Sequence, residues 1–155
     1  MTLDEIRELV NKSQCADLGF IDESGKPEIR RVFCTFHKGL GGHLISTNTS
    51  SMHVRTLLKK DDACLYFSDS QNFMAVCFMG KAIVHFEQEY REMLWHEGDE
   101  KYYSKGVNDE DYCVIEFIAE SGRFYRYDGK GDLTGAELEE YDKGAQYKDY
   151  GDTVQ

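Results

Sequence analysis

Residues 15–37, CADLGFIDESGKPEIRRVFCTFH, decide the predicted fold of this chain. Two runs within it, residues 15–22 and 28–37, are rich in the apolar and β-branched side chains that favour strands. Glu23-Ser24-Gly25-Lys26 between them has the polar residues and the glycine of a turn. The stretch therefore predicts two antiparallel strands. A glycine-rich turn then leads to a third strand at residues 43–47, which extends the pair to a β-meander.

The remainder of the chain continues this pattern of short strands and helices. Thr2 and Glu5 form a predicted capping box at the start of an amphipathic helix. The predicted helices are residues 3–13, 50–60 and 89–97, and the further strands are residues 63–68, 73–86, 112–119 and 123–127. We expect the long strand to bend at Gly80 and the last two strands to form a hairpin around Glu120-Ser121-Gly122. Six or seven strands with short helices indicate a mainly β protein, and a closed β-barrel explains them because it leaves no exposed strand edge.

The composition changes at Asp128, after which Gly, Asp, Glu, Lys and Tyr dominate. Residues 133–141 favour a weak helix, but this segment has too few apolar side chains to build a core of its own. We therefore predict one barrel domain over residues 1–127. Residues 128–155 are expected to form an acidic, Gly- and Tyr-rich tail in solvent, and docking of its tyrosines on a partner subunit is the alternative.

The chain has 155 residues and a net charge of −11, from 29 acidic and 18 basic residues. Such a surface repels phosphate backbones and anionic lipids, so nucleic acids and membranes are not expected as partners. The N-terminal residues lack the pattern of a signal peptide, and no apolar run approaches the ~20 residues that cross a bilayer. These features predict a cytoplasmic protein.

Cysteine and histidine spacing gives no sign of a metal site. Five cysteines are present, and no two of them have a Cys-x-x-Cys spacing. Four lie in strand-like apolar runs, which predicts reduced thiols packed as small hydrophobes: Cys34, Cys64, Cys77 and Cys113. The five histidines show neither HxxxH nor HExxH spacing. GxSxG, Walker A and GxGxxG segments are also missing, so hydrolase, P-loop and Rossmann functions have no support.

The first candidate for ligand binding is the strand segment that contains Arg30, Arg31 and Val32. Alternation places the two arginines on opposite faces of a strand, so one of them points to the apolar side. A buried cation is costly unless it meets an anion or a carboxylate. The segment therefore predicts either an anion contact or two surface arginines that pair with the acidic excess. It does not tell which arginine faces a pocket.

The second candidate is Ser46-Thr47-Asn48-Thr49-Ser50-Ser51-Met52-His53, where a strand ends and a helix begins. Free N–H groups and the helix dipole favour a phosphate at such a point, and hydroxyl groups add donors. His53 and Arg55 in the first turns supply positive charge. Simple N-capping of the helix is the alternative, and it needs only one of the hydroxyl groups.

The third candidate is an aromatic group, Trp95-His96-Glu97 with Tyr102-Tyr103. These side chains have the flat surfaces that cover a planar ring. Structural packing in the core is the alternative, and it requires no ligand.

The order of these segments resembles the FMN-binding split-barrel superfamily of pyridoxamine 5′-phosphate oxidase-like proteins, and within it the general-stress-protein branch. The resemblance extends from the first helix to about Tyr127. It is carried by Gly25-Lys26-Pro27 leading into Ile29-Arg30-Arg31-Val32, by Ser46-Thr47-Asn48 before Ser51, by Met79-Gly80-Lys81-Ala82, by Leu94-Trp95 and by Tyr102-Tyr103. It implies a six- to seven-stranded split β-barrel.

In this family two barrels pair and FMN lies in the groove between them. The resemblance therefore implies a homodimer that binds FMN and acts as a reductase or oxidase on a small molecule. The implied cofactor-binding residues are Arg30, Arg31, Val32, Ser46, Thr47, Ser51 and His53. By the resemblance, Arg30 and Val32 lie along the flavin and the ribityl chain. Ser46 and Thr47 lie beside the ring or the ribityl chain, and Ser51 and His53 lie beside the phosphate.

Two positions depart from the family pattern. The family's phosphate motif usually carries Lys, often preceded by Arg, where this chain has His53 and Met52. Oxidases of the family often place a polar ring contact near Ala75, which offers only a methyl group. These departures favour an alternative function, a non-catalytic split barrel that binds another ligand or only dimerises in a stress or sensory role. A genuine pyridoxamine 5′-phosphate oxidase is least favoured, because the segment after Arg126 is mainly acidic.

Overall fold

The structure is a computed structural model, and it describes residues 1–153. Its strands are β1 (Cys15–Ile21), β2 (Pro27–Phe33), β3 (Phe36–Lys38), β4 (Gly42–Asn48), β5 (Asp62–Asp69), β6 (Met74–His85), β7 (Tyr112–Arg126), β8 (Gly129–Leu133) and β9 (Lys148–Asp149). Its helices are α1 (Leu3–Lys12), α2 (Met52–Lys59), α3 (Gln88–Leu94) and α4 (Gly135–Tyr141), with short 3-10 turns at Asp99–Lys101, Gly106–Asn108 and Gly151–Thr153. None of these helices is long and apolar enough to cross a bilayer.

The nine strands of the described chain form one curled antiparallel sheet. Their order is β2-β1-β5-β6-β7-β4-β3-β9, and β8 pairs with β7 off this path. The prediction of a mainly β protein of the split-barrel kind with short helices is confirmed. The sheet is a half-barrel, however, because the path of paired strands begins at β2 and ends at β9 instead of closing. The two short strands β3 and β9 raise the count above the predicted six or seven.

The segment predicted as one strand at residues 28–37 is two strands. Cys34 and Thr35 separate β2 from β3, and the two strands lie near opposite ends of the sheet. Composition did not reveal this break, because the residues on both sides of it are strand-like. The crossing brings the end of β2 close to β4 and produces a groove between them.

The predicted bend at Gly80 is confirmed as a β-bulge. The register of β6 against β7 shifts here, since Met79 pairs with Ser121 and Gly80 pairs with Ala119. Glu120 is the extra residue on β7. A Cβ atom at Gly80 would lie 2.0 Å from the Ile118 carbonyl oxygen, so only glycine permits this approach of the two backbones.

The predicted hairpin around Glu120-Ser121-Gly122 is wrong. These residues belong to the bulge within β7, which continues as a single strand from Tyr112 to Arg126. The turn occurs later, at residues 127–128, and leads into β8. Polar residues with a glycine favour a bulge as well as a turn, and only the pairing with β6 distinguishes the two.

The core lies on the inner face of the curled sheet, with α1 and α2 packed against it. A second, smaller apolar cluster joins α3 to β3, to the first half of β4 and to β7; its buried members are Phe36, Leu44, Leu94, Tyr103, Tyr112 and Val114. All five cysteines are free thiols. Cys34 and Cys113 are buried as predicted, whereas Cys64 and Cys77 are only partly buried. The prediction of core packing is therefore right for two of the four cysteines.

Most of the chain after Asp128 differs from the solvated tail that its composition predicts. β8 pairs with β7, and a capping box of Thr134 and Glu137 starts α4. Leu133 and Leu138 join the main core and are each 3% exposed. Beyond α4, the Asp142 carboxylate accepts hydrogen bonds of 2.8 Å from the backbone N–H groups of residues 40 and 41. The segment therefore completes a core that residues 1–127 build, although it has too few apolar residues for a core of its own.

We predict that Leu138→Ala lowers the free energy of unfolding by about 2–4 kcal/mol, because the change removes buried apolar surface and leaves a cavity. Glu139→Ala on the exposed side of the same helix is the matched control, and its effect is expected to be small. Urea denaturation of both variants measures the difference. Equal stabilities for the two variants would mean that this segment is not part of the folded core in solution.

Candidate functional site

A groove of about 530 Å³ lies where the chain passes from β2 to β3. This volume is within the range of small-molecule sites, about 300–1,000 Å³. It is bordered by the end of β2, by β4 with the start of α2, and by the segment after α3. Among its lining residues are Arg31, Val32, Phe36, Ser46, Thr47, Ser51, His53, His96, Tyr102 and Tyr103. Six of the seven predicted cofactor-binding residues are among them.

The strand β2 places its two arginines on opposite faces, as alternation predicts. Arg31 borders the groove and forms a two-pronged ion pair with Asp17 on the neighbouring strand, with N···O distances of 2.8 and 3.2 Å. Arg30 lies on the other face, where its guanidinium sits over the Phe20 ring at 5.8 Å. It is also 3.4 Å from a Glu28 carboxylate oxygen. The cation on the inward face is therefore paired as predicted, with a carboxylate and an aromatic ring.

The start of α2, like that of α3, lacks the side-chain cap that α1 and α4 have. Thr2 and Thr134 accept hydrogen bonds from backbone N–H groups at the starts of α1 and α4. The N-cap residue of α2, Ser51, makes no such bond within the described chain. No acidic residue occupies the first turn of α2. The first-turn N–H groups of α2 therefore border the groove without a side-chain cap, and the carboxylate at this end of the helix, that of Asp111, bonds to the Ser50 N–H just before the N-cap.

The imidazole of His53 is held close to the groove in its neutral form. Its Nε2 is 2.9 Å from the Thr47 hydroxyl, and both side chains are buried. Burial lowers the pKa of His53 below 6.5, and the positive charge of Arg30 lowers it further. The predicted positive charge at position 53 is therefore lacking at neutral pH.

The opposite wall of the groove is aromatic. Phe36 meets the His96 ring edge-on at 5.7 Å, and Tyr102 is 73% exposed beside them. Of the predicted aromatic group, His96, Tyr102 and Tyr103 line the groove. Trp95 instead packs against Tyr103 and Tyr112, at centroid distances of 6.2 and 5.4 Å. Core packing therefore describes Trp95 and the buried Tyr103, while His96 and Tyr102 present ring surfaces at the groove.

The second histidine of the groove is electrostatically different from the first. His96 Nε2 is 2.9 Å from an Asp149 carboxylate oxygen, and this hydrogen bond raises the pKa of His96 above 6.5. Asp149 is fixed in turn by the Thr35 hydroxyl, which donates to it over 2.9 Å. One wall of the groove thus holds a neutral imidazole and the other holds an imidazole that protonates readily.

Sequence reasoning missed several lining residues, among them Gln14, Phe36, Leu44 and Asp99. Phe36 and Leu44 gave only a strand signal, and their position at the groove follows from the break between β2 and β3. Gln14 lies in the loop before β1 and Asp99 begins a 3-10 turn after α3, and no sequence pattern related them.

Comparison with known proteins agrees with this architecture. Residues 2–138 match the family model described as pyridoxamine 5′-phosphate oxidase like. A structure from Clostridium acetobutylicum, of a protein related to general stress protein 26 and assigned to the pyridoxinephosphate oxidase family, is 35% identical with a TM-score of 0.80. The alignment covers 88% of this chain and 96% of that chain. No curated protein sequence matches the chain.

More distant structures share the fold. General stress protein 26 from Bacillus anthracis is 15% identical with a TM-score of 0.69, over 86% of this chain and 99% of that chain. A heme binding protein from Mycobacterium smegmatis is 18% identical with a TM-score of 0.71, over 88% of this chain and 59% of that chain. At these identities the similarity concerns the fold alone.

We predict that the two groove histidines titrate on opposite sides of 6.5. His53 should titrate below this value because it is buried beside a cation, and His96 should titrate above it because Asp149 stabilises the imidazolium. Ring C–H signals followed by NMR from pH 4 to pH 9 measure both. Asp149→Asn should lower the pKa of His96 and leave that of His53 unchanged. An unaltered His96 in this variant would show that the ion pair is not formed in solution.

Proposed function

Because the chain belongs to the pyridoxamine 5′-phosphate oxidase-like family, we propose that it binds FMN in the groove as a homodimer and transfers electrons to or from a small molecule. The observation that carries the proposal is the uncapped start of α2 facing an aromatic wall. The first feature suits a phosphate, and the second suits a planar ring system. FMN has both parts, joined by a flexible ribityl chain.

The phosphate end of the proposed site is the start of α2. Backbone N–H groups and the hydroxyl of Ser51 are available there as donors, and an anion completes the cap that Ser51 does not make. Arg31 is the cation that borders the groove, and its pairing with Asp17 leaves its position fixed. His53 donates or accepts a hydrogen bond as a neutral group, so it contributes less to phosphate affinity than the family's usual lysine.

The ring end of the proposed site is the wall formed by Phe36, His96 and Tyr102. A flavin ring between this wall and Val32 would be shielded from water on both faces. Ser46 and Thr47 also border the groove, and their hydroxyls would be the polar partners that a ribityl chain needs. His96 offers a proton donor at this wall, held in place by Asp149.

FMN, when bound, supplies the hydride or single-electron chemistry, and the protein supplies position, charge and exclusion of water. The path of paired strands does not close, and β2, which borders the groove, is one of its ends. A second subunit at this edge would complete the enclosure. A small-molecule substrate would then approach the ring from the remaining open side.

The proposed dimer is supported by exposed apolar side chains on β2, the edge strand that borders the groove. Ile29 is 66% exposed and Phe33 is 69% exposed. Both alternate with Arg31 on the outward face of the strand. Large apolar side chains grouped at a sheet edge are typical of a protein contact surface.

A second candidate function is a split barrel that has lost FMN and has a non-catalytic binding or stress-related role. The neutral His53 in the place of a lysine favours it. Ala75 gives no polar contact either, since it is buried on β6 away from the groove. The two candidates differ in flavin affinity, which can be measured directly.

We predict that FMN binds to the purified protein much more tightly than riboflavin, because only FMN carries the phosphate that the start of α2 would hold. Titration of the apoprotein, followed by flavin absorbance and fluorescence, measures both affinities. Hemin serves as a third ligand, because the Mycobacterium smegmatis structure is described as that of a heme binding protein. Binding of neither flavin would favour the non-catalytic candidate.

In the same titration, Ser51→Ala should weaken FMN binding by about 1–3 kcal/mol, because it removes a hydrogen bond to a charged group. Riboflavin affinity should be unchanged. Ser50→Ala is the matched control, since Ser50 is exposed and bonds to Asp111, its backbone N–H at 2.7 Å and its side chain as well. Equal losses of FMN affinity in the two variants, or no loss in either, would show that the phosphate does not bind at the start of α2.

We also predict that Phe33→Asp yields a monomer, because it places a charge in the proposed contact surface. Light scattering of the wild type and the variant measures the mass of each. Lys130→Asp, on a different part of the surface, is the control for added negative charge and should remain dimeric. A monomeric wild type would contradict the dimer and leave the groove open to solvent.

A further inference from the structure

A thiol and two imidazoles meet in the core, away from the groove. Cys34 follows β2, His37 lies on β3 and His43 lies on β4, and all three are fully buried. One ligand atom from each of them lies within 4.8 Å of the others. Their spacing along the chain is Cys-x₂-His-x₅-His, which a search for HxxxH or HExxH does not detect. The sequence analysis predicted no metal site for this reason.

The hydrogen bonds of the two histidines define which nitrogens carry protons. His43 Nε2 is 2.7 Å from the carbonyl oxygen of Leu40, and a carbonyl only accepts, so this nitrogen carries the proton. In a neutral ring, Nδ1 of His43 is then an acceptor. It is 2.8 Å from Nδ1 of His37, which must donate. The proton positions of both rings therefore follow from one backbone carbonyl.

This chain of hydrogen bonds ends in an unused lone pair. His37 Nε2 is unprotonated in the arrangement, is buried, and has no hydrogen-bond partner among residues 1–153. Burial keeps both rings neutral by lowering the pKa of each, that of His43 to about 4. An unpartnered buried acceptor is unfavourable and is rare in folded proteins. A ligand that accepts this lone pair would remove the unfavourable free energy of leaving His37 Nε2 buried without a partner.

We propose that Cys34 and His37 bind one copper(I) ion, with His43 as the positioning residue. Two donors are available without breaking a hydrogen bond, the Cys34 sulfur and His37 Nε2. Copper(I) is stable with few ligands and prefers thiolate sulfur and imidazole nitrogen, whereas zinc in structural sites requires four ligands. The relay from Leu40 through His43 to His37 is the kind of outer contact that fixes the ring of a metal-binding histidine.

Binding needs the proton of Cys34 to leave. Burial raises the pKa of this thiol, so it stays protonated without a metal. The incoming ion takes the place of the thiol proton, which passes to solvent, and copper keeps its oxidation state. The net charge of the cluster is therefore unchanged when the ion binds.

Access is provided by the short C-terminal strand. Tyr150, next to β9, stacks on His37 with ring centroids 5.9 Å apart. β9 is only two residues long and pairs with β3 at the end of the sheet. Short terminal elements of this kind open locally at little cost, so this segment is the expected route to the buried donors.

The test adds copper(I), as its complex with a coloured chelator, to the reduced full-length protein under anaerobic conditions. Loss of the chelator's colour gives the affinity and the stoichiometry. Cys34→Ser should remove one bound ion per chain, and Cys113→Ser, a second fully buried thiol, should not. His43→Gln should weaken binding by about 10–100-fold, as expected when an outer contact is lost. Cys64→Ser controls for copper held by the partly exposed thiols.

A second measurement uses the wild type alone and does not depend on the folding of variants. Copper(I) is diamagnetic, so NMR signals of the His37 and His43 rings should shift on titration while those of His53 and His85 remain. Equal copper binding by the wild type and Cys34→Ser, unshifted His37 signals, or equally strong binding of zinc would overturn the proposal. The copper titration is read separately from the FMN titration, because none of the three residues lines the groove.

Discussion

The close approach of β6 and β7 at Gly80 is the constraint on which the rest of the structure depends. The Ile118 carbonyl oxygen occupies the space that a side chain at this position would need. The bulge lets β7 bend and pair with β4 and β6 along one half and with β6 and β8 along the other. This bend curls the sheet and gives it a concave inner face. The end of β4 and the start of α2 thereby face the groove, which no flat sheet would form.

The charges around the groove, more than its volume, determine which ligand it suits. The arginine that borders it, Arg31, is already paired with Asp17. What remains without a side-chain cap is the start of α2. A dianionic phosphate would therefore be held mainly by backbone and hydroxyl donors, with a side-chain cation at the border. Such a site favours the ligand through fixed geometry, and its affinity depends strongly on each donor.

Periodicity predicted the fold class and most strands, because alternating burial leaves a strong local pattern. It could not predict the break at Cys34 and Thr35, where strand-like residues continue on both sides. The same limit applies to Glu120, where only the partner strand distinguishes a bulge from a turn. Leu133 and Leu138 are too few to indicate a core by themselves, and they fill one that distant residues build. For the groove, the start of α2 was predicted from its hydroxyl cluster, whereas the faces of the two arginines required the register of β2.

The two-residue strand β9 contacts both the groove and the buried cluster of Cys34, His37 and His43. Asp149 holds His96 at the groove, and Tyr150 covers His37 at the edge of the core. Their positions are one residue apart, so they cannot move independently. A molecule that draws His96 away from Asp149 would loosen the contact of Tyr150 with His37. By thermodynamic linkage, a ligand bound at His37 would then change the affinity of the groove for that molecule by the same free energy. β9 is the shortest strand of the described sheet. Thermodynamic linkage between the groove and His37 would therefore pass through this strand.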